Sequence, residues 1–182
     1  MTPPMLRKIS KNVAAASIGG ISNVRDDDDR QIYLNIDQWI GQIGEAGLSL
    51  WLTNSLKAYF EAREHKNKNP HQGDNGWDLL DYPTDSKASR ARFKNKPLST
   101  YNLIVPPREV HDVIFILGLV KKQPPNINLY FMGWATKNEV LRRIATSGPF
   151  KGKYYVEASI LRNMNTCKAA ILKLRHRLKL HH

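Results

Sequence analysis

The sequence predicts a single α/β domain, and three features indicate it. Apolar residues recur at helical spacing over residues 35–64, residues 113–120 (VIFILGLV) have the unbroken hydrophobicity of a strand buried on both faces, and a basic stretch with helical periodicity spans residues 166–180. A chain of 182 residues fits one domain with a sizeable core. No repeat or second composition regime interrupts it, so we expect a domain over residues 31–182 after a flexible segment over residues 1–30.

The first helix is expected to begin at Asn35, because Gln38 follows three residues later as in a capping box. One apolar row of this helix comprises Leu48, Leu52, Leu56 and Tyr59. Extending that row backwards by three residues reaches Glu45, one turn from Leu48. An acid at the margin of a core needs a partner, or its pKa rises. The alternative is that Glu45 points into solvent near the start of the helix.

The strands follow in the second half of the chain. Residues 77–80 and 84–88 have the pattern of two short strands, with Pro83 limiting regular pairing between them. The buried run is followed by a second strand over residues 127–135. The segment KKQPPN between these two strands has hairpin character, which predicts antiparallel neighbours.

The remaining elements are a short helix, a strand and the basic helix at residues 166–180. Thr136 is expected to cap a helix over residues 137–145, since Glu139 lies three residues later. A last strand is expected over residues 152–159.

The charge balance favours a polyanionic partner. The chain has 28 Lys and Arg against 16 Asp and Glu, a formal net charge of +12, and a basic surface attracts phosphates. The alternative is a protein that is merely basic. The sequence has no long apolar stretch, so we expect an intracellular protein that does not enter a membrane. Cys167 has no partner for an internal disulfide, and no Cys/His zinc spacing is present.

A basic stripe follows the second short strand. Arg90, Arg92, Lys94 and Lys96 occupy alternate positions, which point the same way in an extended segment. The stripe either binds phosphates or forms a solvated edge that discourages aggregation. The four aspartates at 26–29 are similarly either a solvated loop or a cation site.

The segment GWDLLDYPTDSKAS concentrates acids in a basic chain. Six residues separate Asp78 from Asp85, and Lys87 follows two positions after Asp85. If a turn at Pro83 brings the two segments together, both carboxylates reach one point. Two carboxylates, a backbone carbonyl and waters suit Mg²⁺, and a nearby ammonium positions or helps to deprotonate a water. Such a site hydrolyses phosphodiesters. The alternative is a solvated turn with ordinary surface charges.

The arrangement resembles the PD-(D/E)xK nuclease superfamily, whose members carry an acid, a spacer and then acid-x-Lys. Asp78 and Asp85-Ser86-Lys87 match that order, and Glu45 in GEAGLSLWL takes the place of the upstream helical glutamate. The segments DVIFILGLV, YFMGWATKNEVLRR and YYVEASILRNM resemble later elements of phage and restriction-type members, so the resemblance covers about residues 35–165. Trp77 stands where the name-giving proline would be, Asp85 replaces the commoner glutamate, and Asp81 is a rival ligand to Asp78.

The resemblance implies a restriction-endonuclease-like domain with an αβββαβ-type core, in which helices flank a mixed central sheet. It implies a metal-dependent DNA endonuclease that uses Mg²⁺, with Mn²⁺ as a substitute. The ligands would be Glu45, Asp78, Asp85 and the backbone carbonyl of Ser86, while Lys87 would attend the nucleophilic water. Contacts to DNA would come from Ser89, Arg90, Arg92, Lys94 and Lys96.

The resemblance also implies a cytoplasmic enzyme, in the host cytoplasm if a phage encodes it. Because no helix-turn-helix or zinc module is recognisable, we expect structure-selective or weakly sequence-specific cleavage. A homodimer would permit double-strand cuts or junction resolution. Asp112 is expected to be structural, or at most to contact a residue that binds the metal, and Trp134 is expected to belong to the core and not to form a base-stacking platform.

Three alternatives stay open. The first is a non-catalytic nucleic-acid-binding protein on the same fold. The second is a Holliday-junction resolvase or a repair nuclease. The third is a histidine-metal nuclease using His71 or His111, although no His/Asn spacing supports it.

Overall fold

A computed structural model describes residues 28–68, 77–91, 100–123 and 126–180, with side chains from residue 39 onwards. The helices are α1 (Asp28–Thr53), α2 (Lys57–Lys68), α3 (Lys137–Val140) and α4 (Cys167–Lys179). The strands are β1 (Thr84–Arg90), β2 (Asn102–Val105), β3 (Ile114–Gln123), β4 (Asn126–Thr136) and β5 (Tyr154–Glu157). Residues 1–27, most of the segment expected to be flexible, lie outside the described residues.

The first helical region is two helices rather than one. α1 already begins at Asp28 and runs through Asn35, so the expected N-cap is wrong. It ends where Asn54 adopts a left-handed conformation with φ of 56°, as is common at helix C-termini. The Ser49 hydroxyl then donates to the carbonyl of Ser55 at 2.7 Å and accepts from the N–H of Tyr59 at 3.2 Å, which fixes the start of α2.

The central sheet is mixed and has the order β1-β3-β4. β1 is parallel to β3, with Asp85 opposite Phe115 and Lys87 opposite Leu117. β3 is antiparallel to β4, which confirms the predicted hairpin and the predicted central strand. No described strand pairs with the other side of β1, which we call its free edge.

The strand expected over residues 77–80 is wrong. These residues form a turn with one isolated antiparallel bridge between Leu79 and Tyr82. The turn is too short for a ladder, because Pro83 has no N–H to donate and the chain must enter β1 at once. It nevertheless lies against β1, since the N–H of Asp78 donates to the carbonyl of Thr84 at 2.8 Å.

Two different layers cover the central sheet. One face packs on the helices through a cluster that includes Leu48 of α1, Ile116 of β3 and Ile171 of α4. Trp134 belongs to this cluster and is 3% exposed, which confirms its core position. The other face packs on the antiparallel pair β2–β5 through a cluster that includes Phe115. The described residues therefore form a mixed α/β fold with one helical and one stranded cover.

The last third of the chain follows its predicted order with shorter elements. Thr136 and Glu139 form the expected capping box, but α3 ends at Val140 because the chain turns to bridge Ile144 with Tyr154. Cys167 is buried at the start of α4. Within the described residues, none of the helices combines the length and hydrophobicity that crossing a bilayer requires.

Candidate functional site

A cleft of about 330 Å³ runs along the free edge of β1, between α1 and β2. Its lining contains every residue predicted for the metal or the nucleophilic water: Glu45, Asp78, Asp85, Ser86 and Lys87. Ser89 also lines it. Residues from α1, from the turn before β1 and from β1 itself therefore meet in one place, although Glu45 and Lys87 are far apart in the chain.

Asp78 is fixed to the free edge of β1 by its main chain and its side chain. Besides the bond from its N–H to Thr84, its Oδ2 accepts a hydrogen bond from the N–H of Ser86 at 2.5 Å. The N–H of Ser86 therefore points away from β3. Because the N–H and C=O of one strand residue point to the same side, the carbonyl of Ser86 also faces the free edge. This is the carbonyl that the sequence predicts as a metal ligand.

Asp85 and Lys87 point to the same side of β1, as the alternation of strand side chains predicts. The Nζ of Lys87 lies 2.8 Å from Oδ2 of Asp85 and 2.7 Å from Oε2 of Glu109. Burial alone would lower the pKa of Lys87, but the charges and hydrogen bonds of Asp85 and Glu109 outweigh burial and raise it. Lys87 is therefore a fixed ammonium at neutral pH.

Glu109 is a site residue that sequence reasoning missed. It ends a short 3-10 helix, Pro107–Glu109, which follows β2. In the sequence, a segment outside the described residues separates this helix from Lys87. Neither its spacing from Lys87 nor its neighbours in VPPREV resembles a known site pattern, so no sequence signal indicated it.

Asp78 and Asp85 are buried close together, and their surroundings raise the pKa of both carboxyl groups. Burial raises the pKa of Asp78, although the charges of Lys66, Lys87 and Arg63 and the Ser86 hydrogen bond oppose the rise. Burial and the neighbouring charge of Asp78 raise the pKa of Asp85 to about 7, against the attraction of Lys87. Two adjacent buried carboxylates are unfavourable unless a cation or a shared proton compensates them.

Glu45 points into the protein rather than into solvent. Its carboxylate forms an ion pair with Arg63 of α2, and the two side chains are 13% and 16% exposed. Arg63 also lies over the ring of Tyr59, at 5.8 Å from its centroid. Glu45 thus has the partner that an acid at the margin of a core requires.

The side chains of the cleft are engaged with protein partners. Glu45 pairs with Arg63, Asp85 pairs with Lys87, and Asp78 accepts from the backbone. In the described ranges, no three His, Cys, Asp or Glu side chains form a group able to hold a metal ion in these orientations. Metal binding that includes Glu45 therefore requires its carboxylate to turn from Arg63 towards the aspartates.

The donor set fits a hard divalent cation. Among the described lining residues there are three carboxyl groups and a single cation, Lys87, although the protein as a whole is basic. Carboxylate and carbonyl oxygens are the ligands of Mg²⁺, which also keeps several waters and needs the room that the cleft offers. A purely structural explanation is weaker, because buried ion pairs of this kind seldom stabilise a fold.

The other predicted residues lie outside the cleft lining or outside the described residues. Asp81, the rival of Asp78, is exposed and pairs with Arg175 at 3.2 Å, away from the cleft lining. Asp112 pairs with Lys137 at 3.3 Å, consistent with a structural role, and His111 is exposed. Arg90 is exposed at the end of β1. Four predicted residues lie outside the described residues: His71, Arg92, Lys94 and Lys96.

Comparison of the chain with family models, with curated proteins and with solved structures gave no match.

Proposed function

We propose that the protein is a metal-dependent DNA endonuclease with a restriction-endonuclease-like fold. One observation carries the proposal: the buried carboxylates of Asp78 and Asp85 lie beside the carbonyl side of Ser86 and the ammonium of Lys87, in one cleft at the free edge of β1. The fold brings together the residues of the acid, spacer and acid-x-Lys pattern, with Asp78 and Asp85 as oxygen ligands and Lys87 as a neighbouring cation. Such a set suits phosphodiester hydrolysis.

The chain's own residues have distinct roles in this reaction. Asp78, Asp85 and the Ser86 carbonyl would hold Mg²⁺ or Mn²⁺, and Glu45 would join them on leaving Arg63. The ion would supply positive charge that polarises the phosphate and favours deprotonation of the attacking water. Lys87 lies beside Asp85, where its charge stabilises the phosphate oxygens as a water attacks phosphorus and the P–O bond to the leaving strand breaks. Ser89 lines the same cleft and contacts the phosphate.

The charge of the protein supports DNA as the substrate. The net charge of +12 attracts phosphates to the protein, while the cleft itself is lined by acids. Basic residues outside the cleft would therefore bind the DNA, and the residues of the cleft would carry out the reaction. Arg90 at the end of β1 begins the basic stripe and is exposed next to the cleft residue Ser89.

A second candidate is a non-catalytic DNA-binding protein on the same fold. The pairing of Glu45 with Arg63 favours it, because an acid held by an arginine is not available to a metal. The two candidates agree about DNA binding and differ about cleavage.

The test is cleavage of plasmid, single-stranded, flap and four-way-junction DNA with Mg²⁺ and with EDTA. The key variant is Asp78→Asn, and its matched control is Asp81→Asn, which removes an equal charge from the exposed side of the same turn. We expect Mg²⁺-dependent cleavage that Asp78→Asn abolishes and Asp81→Asn leaves intact. DNA binding without cleavage of any of the four substrates would establish the non-catalytic candidate instead.

A further inference from the structure

A second concave surface lies on the helical face of the sheet. A groove of about 570 Å³ is formed by α4, the start of β3 and the end of β4. It shares no lining residue with the cleft at β1. The proposed nuclease chemistry therefore does not account for this groove.

The groove has an apolar floor and a basic rim. Its floor includes Ile114, Leu174 and Leu180. Its rim carries Lys137, Arg162, Lys173, His176 and Arg177. Among the described residues, Asp112 is the one acid in the lining, and Lys137 already pairs with it.

Two of the rim cations differ from the others in their surroundings. Lys173 and Arg177 are exposed, lie one turn apart on α4 and have no acidic partner among the described residues. Like charges at this spacing destabilise a helix. By contrast, Arg162 pairs with Glu139 at 2.8 Å. An anion between Lys173 and Arg177 would relieve their repulsion.

The shape of the groove selects among anions. A duplex presents a convex backbone and keeps its bases stacked inside, so it has nothing to place on a concave apolar floor. A single strand exposes both its phosphates and its bases, so its phosphates can meet the cations of the rim while its bases contact the apolar floor. Leu174 lies between Lys173 and Arg177 on α4, and Leu180 follows the end of that helix, so both kinds of contact are available within one groove.

We propose that this groove binds a single-stranded segment of nucleic acid, with phosphates at Lys173 and Arg177 and bases against the apolar floor. The proposal names the substrate class, DNA with a single-stranded region, and in that respect rests on the proposed nuclease function. The groove and the cleft are linked by α4, because Arg175 pairs with Asp81 and lies 5.4 Å from the ring centroid of Tyr82, in the turn that carries Asp78. A strand in the groove is thus held in a fixed relation to the cleft.

The test measures binding in EDTA, so that it does not depend on cleavage. The variant is Lys173→Glu/Arg177→Glu, and the matched control is Lys121→Glu/Lys151→Glu, which makes the same charge change at exposed positions outside both cavities. Single-stranded and duplex oligonucleotides of equal length serve as probes. We expect the groove variant to lose about 10-fold or more in single-strand affinity and to flatten the slope of log K against log salt by about 1.4.

A second variant separates base contacts from charge. Leu180 is 71% exposed, so Leu180→Ser should leave the fold intact while removing part of the floor. We expect weaker single-strand binding with an unchanged salt slope.

Four outcomes would overturn the proposal. Equal losses in the groove and control variants would show a general charge effect. A loss confined to duplex would assign the groove to duplex DNA. If the groove variant no longer bound a fluorescent polyglutamate peptide but still bound single strands, the groove would be assigned to an acidic protein segment. The wild type could bind single strands through the groove and yet cleave none of the substrates, which would refute the nuclease function alone. Conversely, the groove variant could keep full cleavage and unchanged single-strand binding, which would refute the groove proposal alone.

Discussion

Oε2 of Glu109 lies 2.7 Å from Nζ of Lys87, and Oδ2 of Asp85 lies 2.8 Å from the same nitrogen. Lys87 is thereby held between two carboxylates from different parts of the chain. A lysine side chain has four rotatable bonds, so this second contact restricts where its charge can lie. The position of the ammonium then depends on a residue outside the acid-x-Lys pattern.

Lys87→Ala should therefore abolish or strongly reduce cleavage. Losing one preorganised charge at a reacting phosphate typically costs about 10²–10³ in rate. DNA affinity should change little, because many other basic residues supply phosphate contacts. The measurement is a paired cleavage rate and binding constant at fixed salt. Wild-type cleavage by Lys87→Ala would show that the acid-x-Lys pattern is incidental here.

Glu109 is expected to act through Lys87 and not by touching the substrate. Glu109→Ala should lower kcat about 10-fold with little change in KM, since it removes a constraint on a group that stabilises the transition state. Glu109→Gln keeps an acceptor at the same reach and should recover most of that rate. A matched control is Glu157→Ala, because Glu157 also forms an ion pair, with Arg143 at 2.9 Å, but lies outside the cleft lining. Equal rates for Glu109→Ala and Glu157→Ala would contradict the positioning role.

The sequence predicted those parts of the fold that are carried by regular patterns. The unbroken apolar run gave the central strand β3, and the Thr136–Glu139 spacing gave a real capping box. The helix break at Asn54 was missed because it depends on local side-chain bonds from Ser49 that do not disturb the apolar periodicity.

Within the cleft, spacing along one strand placed Asp85 and Lys87 correctly relative to each other. The partners Arg63 and Glu109 were not predictable, because tertiary packing brings them from other elements and no spacing encodes that contact. The turn at Pro83 was expected, but the strand before it was not formed because the turn leaves room for a single bridge.

Asp85 should make the protein less stable as the pH rises from about 4 to about 7. Its pKa is raised from an ordinary value of 3.8 to about 7 in the fold. Between about pH 4 and pH 7 the folded state therefore binds more protons than the unfolded state, so the free energy of unfolding falls as the pH rises. The raised pKa already includes the attraction of Lys87.

It follows that Asp85→Asn should stabilise the metal-free protein at pH 8, by about 1–3 kcal/mol, and much less at pH 4.5. Thermal or urea unfolding in EDTA at the two pH values measures this. Asp81→Asn, at the exposed end of the same turn, should show no such pH-dependent gain. Equal effects of the two substitutions at pH 8 would argue that Asp85 carries no burial penalty.

Divalent ions should offset the loss of stability that the ionised, buried aspartates cause at high pH. Mg²⁺ at millimolar concentration should raise the Tm more at pH 8 than at pH 5, because protons compete with the ion for Asp78 and Asp85. Cleavage should require Mg²⁺ or Mn²⁺ and be poorly supported by Ca²⁺, which accepts looser geometry and is a weaker Lewis acid. Undiminished cleavage in excess EDTA, or a Tm shift that Asp78→Asn/Asp85→Asn leaves unchanged, would remove the metal from the proposal.

The ion pair between Glu45 and Arg63 decides whether Glu45 is a ligand or only a structural acid. Arg63→Met removes the guanidinium but keeps much of its apolar stem, and leaves the largely buried Glu45 carboxylate without that partner. Without metal, this should destabilise the protein by about 1–3 kcal/mol. If Glu45 turns to the aspartates when Mg²⁺ binds, the variant should bind Mg²⁺ more tightly than the wild type, because no arginine competes for the carboxylate.

Saturating Mg²⁺ should then restore most of the stability that Arg63→Met loses, and Glu45→Gln in the same background should cancel that recovery. Unfolding curves with Mg²⁺ and with EDTA for the three proteins measure all of this, and a stability loss in Arg63→Met that Mg²⁺ does not reduce would assign Glu45 to the fold alone.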